Sequence, residues 1–498
     1  MKRILLFILT LFASVAVAQE RFDYVKRHNP WNEGLNAAGL RRDTTSRSYA
    51  EAFFVKENGG MIDFSSSDDS FTLGAQTESI RHFDRVSFAG SFRYAYFDGE
   101  NMKGSMFMYP GFYPVDIMEF TPGRKIRENY SFTGAISTRL TKSWDLGARI
   151  NFAASNYAKR KDLRHSNKRL DLEVMPGVLF HRGDWAVGAT YIYLKNNERV
   201  SAKEIGSTAE SYEAFFNKGL GFGVLERWDG NGTHLDETGS GVSGFPIAEQ
   251  GHGAGIQLQY KTLYADLSAK HRTGETGEKG VYWHDFESTD VAADIVWSIR
   301  PEHTLRLNFD WTTTDNSERI FTRETVDGIT TTFYYGSTPI FASDRTRLSA
   351  QYELHKTQKW NLRASLSWQR TEGQSTLYYP YVKEEQIDEY IFATDALFHL
   401  GQWELSAGVT LRGGDRSSKE HDLEAALETG AYPEELTSYT DYRNEYLTAT
   451  RMGLSASLRR NIRHFYVDLG VAWEHGFALR WVAQPNRLRA QLSLGYNF

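Results

Sequence analysis

The chain has 498 residues, a formal net charge of −6 at pH 7 and no cysteine. The lack of cysteine excludes disulfides, thiolate metal sites and cysteine nucleophiles. A mildly acidic chain with scattered Lys and Arg is a poor candidate for nucleic-acid binding. Mean hydropathy is −0.50, and after the first residues no apolar run is long enough for a spanning helix, which excludes a helical membrane protein.

Residues 1–18 have the pattern of a secretory signal peptide. Lys2 and Arg3 are followed by an apolar stretch over 4–12 and by the small residues Ala-Val-Ala at 16–18. This stretch is too short to be a spanning helix and is typical of a cleaved export signal. We therefore expect export through the periplasm.

The chain's last eleven residues alternate strictly between apolar and polar side chains. Leu, Ala, Leu, Leu, Tyr and Phe at even positions of 488–498 alternate with Arg, Gln, Ser, Gly and Asn. Successive strand side chains point to opposite faces, so this strand has one apolar and one polar face. The same alternation recurs at 360–369 and 403–412, with Trp at one or both ends of the apolar stripe.

A soluble β-sandwich also alternates, with its apolar face packed inward. Here the apolar stripes are about five residues long and end in Trp or Phe, which is typical of membrane strands with aromatic girdles. The polar stripes contain Arg and Asp together, as expected for a water-filled lumen. A transmembrane barrel is therefore the favoured interpretation.

The alternation predicts eighteen strands, at 46–57, 69–82, 85–98, 126–141, 143–157, 167–181, 184–198, 249–260, 262–275, 280–300, 302–316, 342–357, 359–370, 386–400, 402–414, 446–460, 462–475 and 488–498. Short turns alternate with long connections, at 99–125, 199–248, 317–341, 371–385 and 415–445. Outer-membrane barrels have short periplasmic turns and long outer loops. The predicted fold class is all-β: a transmembrane antiparallel β-barrel of about eighteen strands (16–20) over 46–498, in a Gram-negative outer membrane.

Two segments do not fit the strand pattern. Residues 19–45 contain no strand and are predicted to be a periplasmic lead-in or a small lumen plug. They are too few for the globular plug domain of an energy-coupled receptor. Ser417 and Glu420 form a capping box, and Gly430 supplies a stop, which together predict a short helix near 418–428 on an outer loop.

Charged residues at the polar positions of the alternating strands are predicted to project into the lumen. They are Arg149, Arg306, Arg363, Arg412, Arg451, Arg489, Asp145, Asp266, Asp310, Glu404 and Asp468. Rows of opposite charge across a pore orient polar solutes and set selectivity. The alternative is a salt-bridged network that fills the interior or holds a plug, because buried charges must be paired.

Other candidate chemistry is weak. Residues 229–237 place oxygen side chains at alternate positions, but they lack the glycine and the bidentate Glu of a calcium loop, so a solvated loop is favoured. His271 and His284 have no obvious nucleophile partner. The sequence therefore predicts no metal, no cofactor and no catalysis.

Asn29-Pro-Trp31, Tyr109-Pro-Gly-Phe-Tyr-Pro114 and Pro176-Gly177 together resemble an uncharacterised family of Bacteroidetes outer-membrane barrels, a domain of unknown function. The resemblance implies a compartment and a fold rather than an activity. The N-terminal Asn-Pro…Gly-Leu pattern is also similar to the hatch of long-chain fatty-acid transporters, which implies a hydrophobic substrate, although those barrels have fewer strands.

The sequence thus predicts an outer-membrane channel or uptake protein for a small solute that passes by diffusion. A non-conducting barrel that anchors or completes a surface complex is the alternative, and an outer-membrane hydrolase is third. The expected partners are outer-membrane lipid, a small solute or surface protein, and the barrel-assembly machinery. Tyr496 and Phe498 are predicted to be the signal that this machinery reads.

Overall fold

The computed structural model describes residues 22, 26, 29–161, 163–203, 214–220, 226–228, 244–278, 281–356, 359–376, 382–421 and 434–498. Their strands are β1 (Arg47–Asn58), β2 (Asp69–His82), β3 (Val86–Ser105), β4 (Asp116–Arg139), β5 (Trp144–Lys159), β6 (Arg164–Arg182), β7 (Trp185–Lys203), β8 (Ala214–Asn217), β9 (Glu226–Trp228), β10 (Phe245–Tyr260), β11 (Leu263–Glu278), β12 (Val281–Arg300), β13 (His303–Val326), β14 (Ile329–Lys356), β15 (Trp360–Thr376), β16 (Val382–Leu400), β17 (Trp403–His421), β18 (Arg451–Ile462), β19 (Phe465–Gly476) and β20 (Asn486–Asn497).

Eighteen of these strands close into one antiparallel barrel. Each pairs with the next along the chain, β7 pairs with β10, and β20 returns to β1 with Ala52 opposite Leu494. The short strands β8 and β9 are not members of this ring. β8 pairs with β9 and, at residues 116–118, with β4. Within the described ranges, the predicted barrel of about eighteen strands is confirmed.

The outward face of the barrel is an exposed apolar band. On β20 it contains Leu488, Leu492 and Leu494, and on β17 it contains Trp403 and Leu405. The alternate side chains of these strands face the interior and are polar. The outward apolar side chains therefore do not pack into a protein core. Lipid is the environment that stabilises such a face, and the fold is that of an outer-membrane barrel. The band occupies the half of the barrel next to the short turns.

Two helices lie in the first part of the described chain and one lies near its end. They are α1 (Pro30–Glu33), a 3-10 helix (Ala37–Arg42) and α2 (Glu434–Thr448). In the part of the chain that the structure describes, no helix is long and apolar enough to cross a membrane.

Several predicted outer loops are partly strand. The loop predicted at 317–341 is wrong: β13 and β14 continue as a hairpin that turns at Asp327 and Gly328, with φ of 53° and 77°. Positive φ at both turn residues suits a tight hairpin. Pairing with β12 stops at Glu318 and pairing with β15 begins at Phe341. Residues 319–340 therefore form a two-stranded arm without a strand partner on either outer edge, named the freestanding hairpin. Side chains near its base still contact β12, and Tyr334 accepts from the backbone N–H of Tyr282 at 3.0 Å.

The predicted helix at 418–428 is also wrong at its start. β17 runs to His421, which lies opposite Val382 of β16. Strand pairing satisfies the backbone groups that a capping box would otherwise serve, so the local signal loses to the sheet. The rest of that prediction, the calcium loop at 229–237 and the signal peptide lie outside the described residues.

Candidate functional site

Residues 29–43 lie inside the barrel and are named the plug segment. The Asn29 side chain accepts from the backbone N–H of Trp31 at the start of α1. The Asn36 side chain accepts from the N–H of Ala38 at the start of the 3-10 helix. Trp31, Ala38 and Leu40 are almost completely buried. Two side-chain caps thus fold a short segment into a compact body.

Glycines on adjacent strands form the seat of the plug segment. A Cβ on Gly147 would lie 2.2 Å from the backbone nitrogen of Ala38, and one on Gly177 would lie 2.3 Å from Oδ1 of Asn36. Gly147 and Gly177 are directly opposite each other on β5 and β6. Only glycine permits this close approach of the plug backbone to the wall.

Asn36 forms the centre of this seat. Its Nδ2 donates to the carbonyl of Val178 at 3.0 Å and to Oε1 of Gln257 at 3.0 Å. Ser137 donates its hydroxyl to the carbonyl of Ala38 at 2.9 Å. The wall therefore satisfies the buried amide nitrogen of Asn36 and the buried carbonyl of Ala38, as burial requires.

Charged and aromatic contacts extend the seat. Arg306 reaches Glu33 at 2.8 Å, and Arg149 donates to the carbonyls of Asn32 and Glu33 at 3.4 Å each. Trp31 donates its indole N–H to Gln259 at 2.6 Å. On the other flank, Arg41 lies 3.4 Å from Asp145.

The chain before the plug segment touches a different part of the wall. Lys26 forms an ion pair with Glu78 of β2 at 2.7 Å. Phe22 packs against Tyr49 of β1 with ring centroids 5.2 Å apart. The described N-terminal residues thus contact the wall from β1 and β2 to β13.

The connection between β3 and β4, residues 106–115, folds into the opposite mouth and is named the inward loop. Its Phe107 packs edge-on against Tyr113 at 5.5 Å, and Tyr113 packs against Phe286 of β12 at 6.2 Å. Phe112 lies 4.2 Å from the guanidinium of Arg169 on β6. These contacts fix the loop across the lumen by cation–π and aromatic packing.

A buried polar network supports the inward loop from the wall. Glu198 accepts from the backbone N–H of Met108 at 2.9 Å and from Asn167 at 2.8 Å. Asn167 also donates to the carbonyl of Met106 at 2.7 Å. Lys125 lies 3.3 Å from Glu119 in the same buried region. Each end of the loop therefore has a fixed position.

A polar chamber of about 920 Å³ separates the plug segment from the inward loop. Glu33 and Gly34 form part of its floor, and Phe112 reaches it from above. Its charged wall residues are Asp171, Glu173, Lys195, Glu249, Asp266, Lys270, Arg272, Asp290, Asp294, Asp310, Arg345 and Arg347. A second cleft of about 310 Å³ lies against Asn29, Trp31 and Arg42. The plug segment thus has the chamber on one side and a cleft on the other.

The structure groups the sequence-predicted lumen residues into three sets. Arg149, Arg306 and Asp145 contact the plug segment, and Asp266 and Asp310 line the chamber. The third set contacts neighbouring wall residues. Its ion pairs are Arg363 with Asp395 at 2.7 Å, Arg451 with Glu474 at 3.3 Å and Asp468 with Arg459 at 2.8 Å. Its hydrogen bonds join Glu404 to Asn461 at 3.1 Å and Arg489 to Gln491 at 3.5 Å. Arg412 is exposed within the barrel.

The predicted assembly-signal residues lie at the barrel seam. Tyr496 packs between Phe465 at 4.8 Å and Phe498 at 4.9 Å. The backbone N–H of Phe498 donates to the carbonyl of Ser48 on β1 at 2.9 Å.

The two histidines considered for catalysis are not brought together. His271 lies on the outward face of β11, 3.1 Å from the Thr289 hydroxyl, whereas His284 is buried inside β12 against Phe216. Among the described residues, no group of three His, Asp or Glu side chains is placed to hold a metal.

Sequence reasoning missed Arg345 and Arg347, which line the chamber. The signal was present, because both have polar parity in the predicted strand 342–357 and flank Thr346 ahead of the lipid-facing Leu348. It also missed the glycine seat. The role of an inward-facing glycine can be inferred only when the segment that packs against it is known.

The sequence profile of one family matches residues 37–498. The chain belongs to DUF6850, a family of unknown function. The DUF6850 match begins at Ala37, the first residue of the 3-10 helix, so it includes the glycine seat, the chamber wall and the inward loop. Curated proteins include no significant match.

Solved structures with a similar arrangement include outer-membrane transporters and receptors. The FrpB iron transporter from Neisseria meningitidis has a TM-score of 0.44 at 9% identity, over 93% of this chain and 83% of that one. BauA, the ferric preacinetobactin receptor from Acinetobacter baumannii, has 0.42 at 7%, over 92% and 80%. The copper transporter OprC has 0.40 at 7%, over 91% and 80%. At these TM-scores the likeness does not indicate what this DUF6850 member binds.

Proposed function

We propose that this barrel takes up a small polar solute across the outer membrane, and that the plug segment controls its passage. The observation that carries the proposal is the chamber between the inward loop and the plug segment, with the second cleft beneath. A barrel of this strand number is wide enough to enclose an aqueous path. Passage is by diffusion, without catalysis or cofactor.

The plug segment must shift for a solute to reach the lower cleft. Its contacts to the wall combine hydrogen bonds and ion pairs, such as Glu33–Arg306 and Asn36–Val178, with two small apolar clusters, one around Trp31 and one around Leu40. Each polar bond contributes about 1 kcal/mol net, and burial of a large apolar side chain contributes about 1.5–3 kcal/mol. The ring of strands is held by its own strand pairing, so the segment can be displaced while the ring persists. The barrel then needs no global rearrangement.

The first test is single-channel conductance of the refolded mature protein in planar bilayers, with and without residues 19–45. We expect rare or small openings from the full-length protein and steady ohmic steps from the truncated one. Circular dichroism of the truncated protein must retain the β-barrel spectrum. Absence of conductance from both proteins would overturn the uptake proposal.

A reversible lock gives a sharper test because the chain has no cysteine of its own. A Cβ on Gly177 would lie 2.8 Å from Cγ of Asn36, which brings Asn36→Cys and Gly177→Cys within disulfide reach. Oxidation of the double variant should abolish solute flux into liposomes, and reductant should restore it. The Asn36→Cys single variant is the control. Equal flux in the oxidised and reduced double variant would contradict gating by the plug segment.

The freestanding hairpin favours a second candidate, a non-conducting barrel that anchors a surface complex. Its Ile320, Ile329 and Tyr335 are exposed, and neither outer edge of residues 319–340 forms strand pairing with β12 or β15. Unpaired strand edges are ready templates for another chain. Absence of conductance from both full-length and truncated protein would favour this role.

The proposal includes the cellular route. The N-terminal signal directs export, the barrel-assembly machinery reads Tyr496 and Phe498, and lipid covers the apolar band. No enzymatic activity is part of it.

A further inference from the structure

Among the described residues, two arginines of the chamber form no ion pair with a carboxylate. Arg345 and Arg347 lie two residues apart on β14, face the chamber and are exposed to it. Within the described ranges, neither guanidinium forms an ion pair. Asp310 is directly opposite Arg347 in the sheet register, but the two side chains do not pair. The β14 side of the chamber therefore presents two guanidiniums that no carboxylate contacts directly, and Glu389 acts on Arg347 only at longer range.

The wall from β10 to β13 has the opposite imbalance, because two of its cations are each shared between two carboxylates and a third, Lys270, pairs with Glu173 of β6. Arg272 serves both Glu249 at 3.0 Å and Asp290 at 2.9 Å. Arg306 likewise serves both Glu33 at 2.8 Å and Asp294 at 3.5 Å. Each arginine neutralises only one of its two carboxylates, so this side carries excess negative charge. The carboxylates remain held in place by these bonds.

The two imbalances face one cavity. An anion alone would gain from Arg345 and Arg347 but would be repelled by the shared carboxylates, and a cation alone would meet the reverse. A solute with both charges is favoured at both walls. Paired guanidiniums are well suited to a carboxylate, which they bind through parallel N–H donors.

We propose that the chamber binds a small zwitterionic solute, with its carboxylate at Arg345 and Arg347 and its ammonium group toward Asp290 and Asp294. The volume of about 920 Å³ accommodates a molecule the size of a short peptide. This inference rests on the proposed uptake function, since it names the class of solute that the chamber would pass.

The test is calorimetric binding of four matched probes to the full-length protein in detergent. The probes are trialanine, N-acetyl-trialanine, trialanine amide and N-acetyl-trialanine amide, which are zwitterionic, anionic, cationic and neutral. We expect trialanine to bind most tightly and the neutral probe about tenfold or more weakly. Equal affinity for all four would overturn the inference.

Matched variants assign the carboxylate end. In Arg345→Gln/Arg347→Gln, affinity for trialanine should fall about tenfold, while affinity for trialanine amide should not fall. The control is Arg93→Gln, which removes an inward-facing arginine of β3 outside the chamber lining and should leave all four affinities unchanged. Equal loss for both probes in the double variant would contradict the assignment of the carboxylate.

Liposome flux of the same probes separates this inference from the proposed function. Tight trialanine binding without flux into liposomes would overturn uptake and leave the zwitterion site standing. Equal flux of all four probes would leave uptake standing and overturn the zwitterion site.

Discussion

Gly177 lies directly beneath Asn36, so that a Cβ at position 177 would lie 2.3 Å from Oδ1 of the asparagine. The amide of Asn36 can reach Val178 and Gln257 only because that space is empty. The absence of a side chain in one strand thus fixes the position of a segment far from it in the sequence.

Gly177→Val should unseat the plug segment while the barrel folds. The new methyl groups would overlap Asn36, and strand β6 itself tolerates Val. Limited proteolysis should then cleave within residues 29–43 at least about tenfold faster than in the unmodified protein, with unchanged circular dichroism. The control is Gly90→Val, because a Cβ at Gly90 meets only a carbonyl oxygen at 3.5 Å. Equal cleavage of both variants would refute the role of Gly177 as a seat.

Arg306→Gln should loosen the plug segment more than Glu33→Gln does. Loss of Arg306 leaves Glu33 and Asp294 near each other without their shared cation, whereas loss of the Glu33 charge leaves Arg306 with Asp294. Leaving a partly buried charge unpaired costs about 1–3 kcal/mol. Hydrogen exchange of residues 29–43, followed by mass spectrometry, measures the difference, and the reverse order of the two variants would contradict this account.

The fold around the inward loop should weaken as pH rises from 5 to 8. Asp116 begins β4 at the loop, far from Tyr130 and Phe132 in the lipid band. Burial raises the pKa of Asp116 to about 7 from an ordinary 3.8, against the opposing hydrogen bond from Ser105. The folded state therefore binds the proton more tightly, and its stabilising contribution, complete at low pH, is lost as pH rises through about 7.

Asp116→Asn isolates that effect from other titrations. Lys125 and Glu198 also act on Asp116 and remain unchanged in the variant. Protease cleavage within 106–115 should increase between pH 5 and pH 8 in the unmodified protein, and the increase should be smaller in the variant. Parallel pH profiles would show that Asp116 is not the titrating group.

Deletion of Phe498 and Phe498→Ala should both reduce assembly in the membrane, but only the deletion removes the backbone bond to β1. Deletion removes both the aromatic ring and the N–H that donates to Ser48, whereas the substitution removes only the ring that packs on Tyr496. If the ring is the assembly signal, both variants should accumulate poorly in the outer membrane, yet Phe498→Ala should refold in detergent as stably as the unmodified chain. Normal membrane levels of Phe498→Ala would remove Phe498 from the signal.

The sequence predicted the part of the barrel that lies in the membrane, because lipid on one side and water on the other impose strict alternation there. Above the band both faces meet water, and the constraint ends. The freestanding hairpin accordingly alternates poorly, with Thr330 and Thr331 adjacent, and was mistaken for a loop. The helix predicted at 418–428 failed for a related reason, since a local cap signal does not include pairing with β16.

The candidate site was only partly predictable. Arg149 and Arg306 were placed in the lumen by parity, but their shared partner Glu33 comes from a segment without periodicity. Charge sharing by Arg272 depends on the register of three neighbouring strands, which no single strand's pattern contains. The inward loop carries a distinctive motif, Tyr109 to Pro114, whose direction of folding is set by residues of β6, β7 and β12.

The seat of the plug segment has a consequence for how the protein is made. Asn36 bonds to Val178 and Gln257, which are 142 and 221 positions away, and Arg306 is 273 positions from Glu33. These partners reach their positions only when β6, β10 and β13 have been added to the growing sheet. Contacts between such distant residues form slowly. The plug segment thus precedes the described strands in the chain, yet it is among the last parts to dock, inside a ring that β1 and β20 close around it.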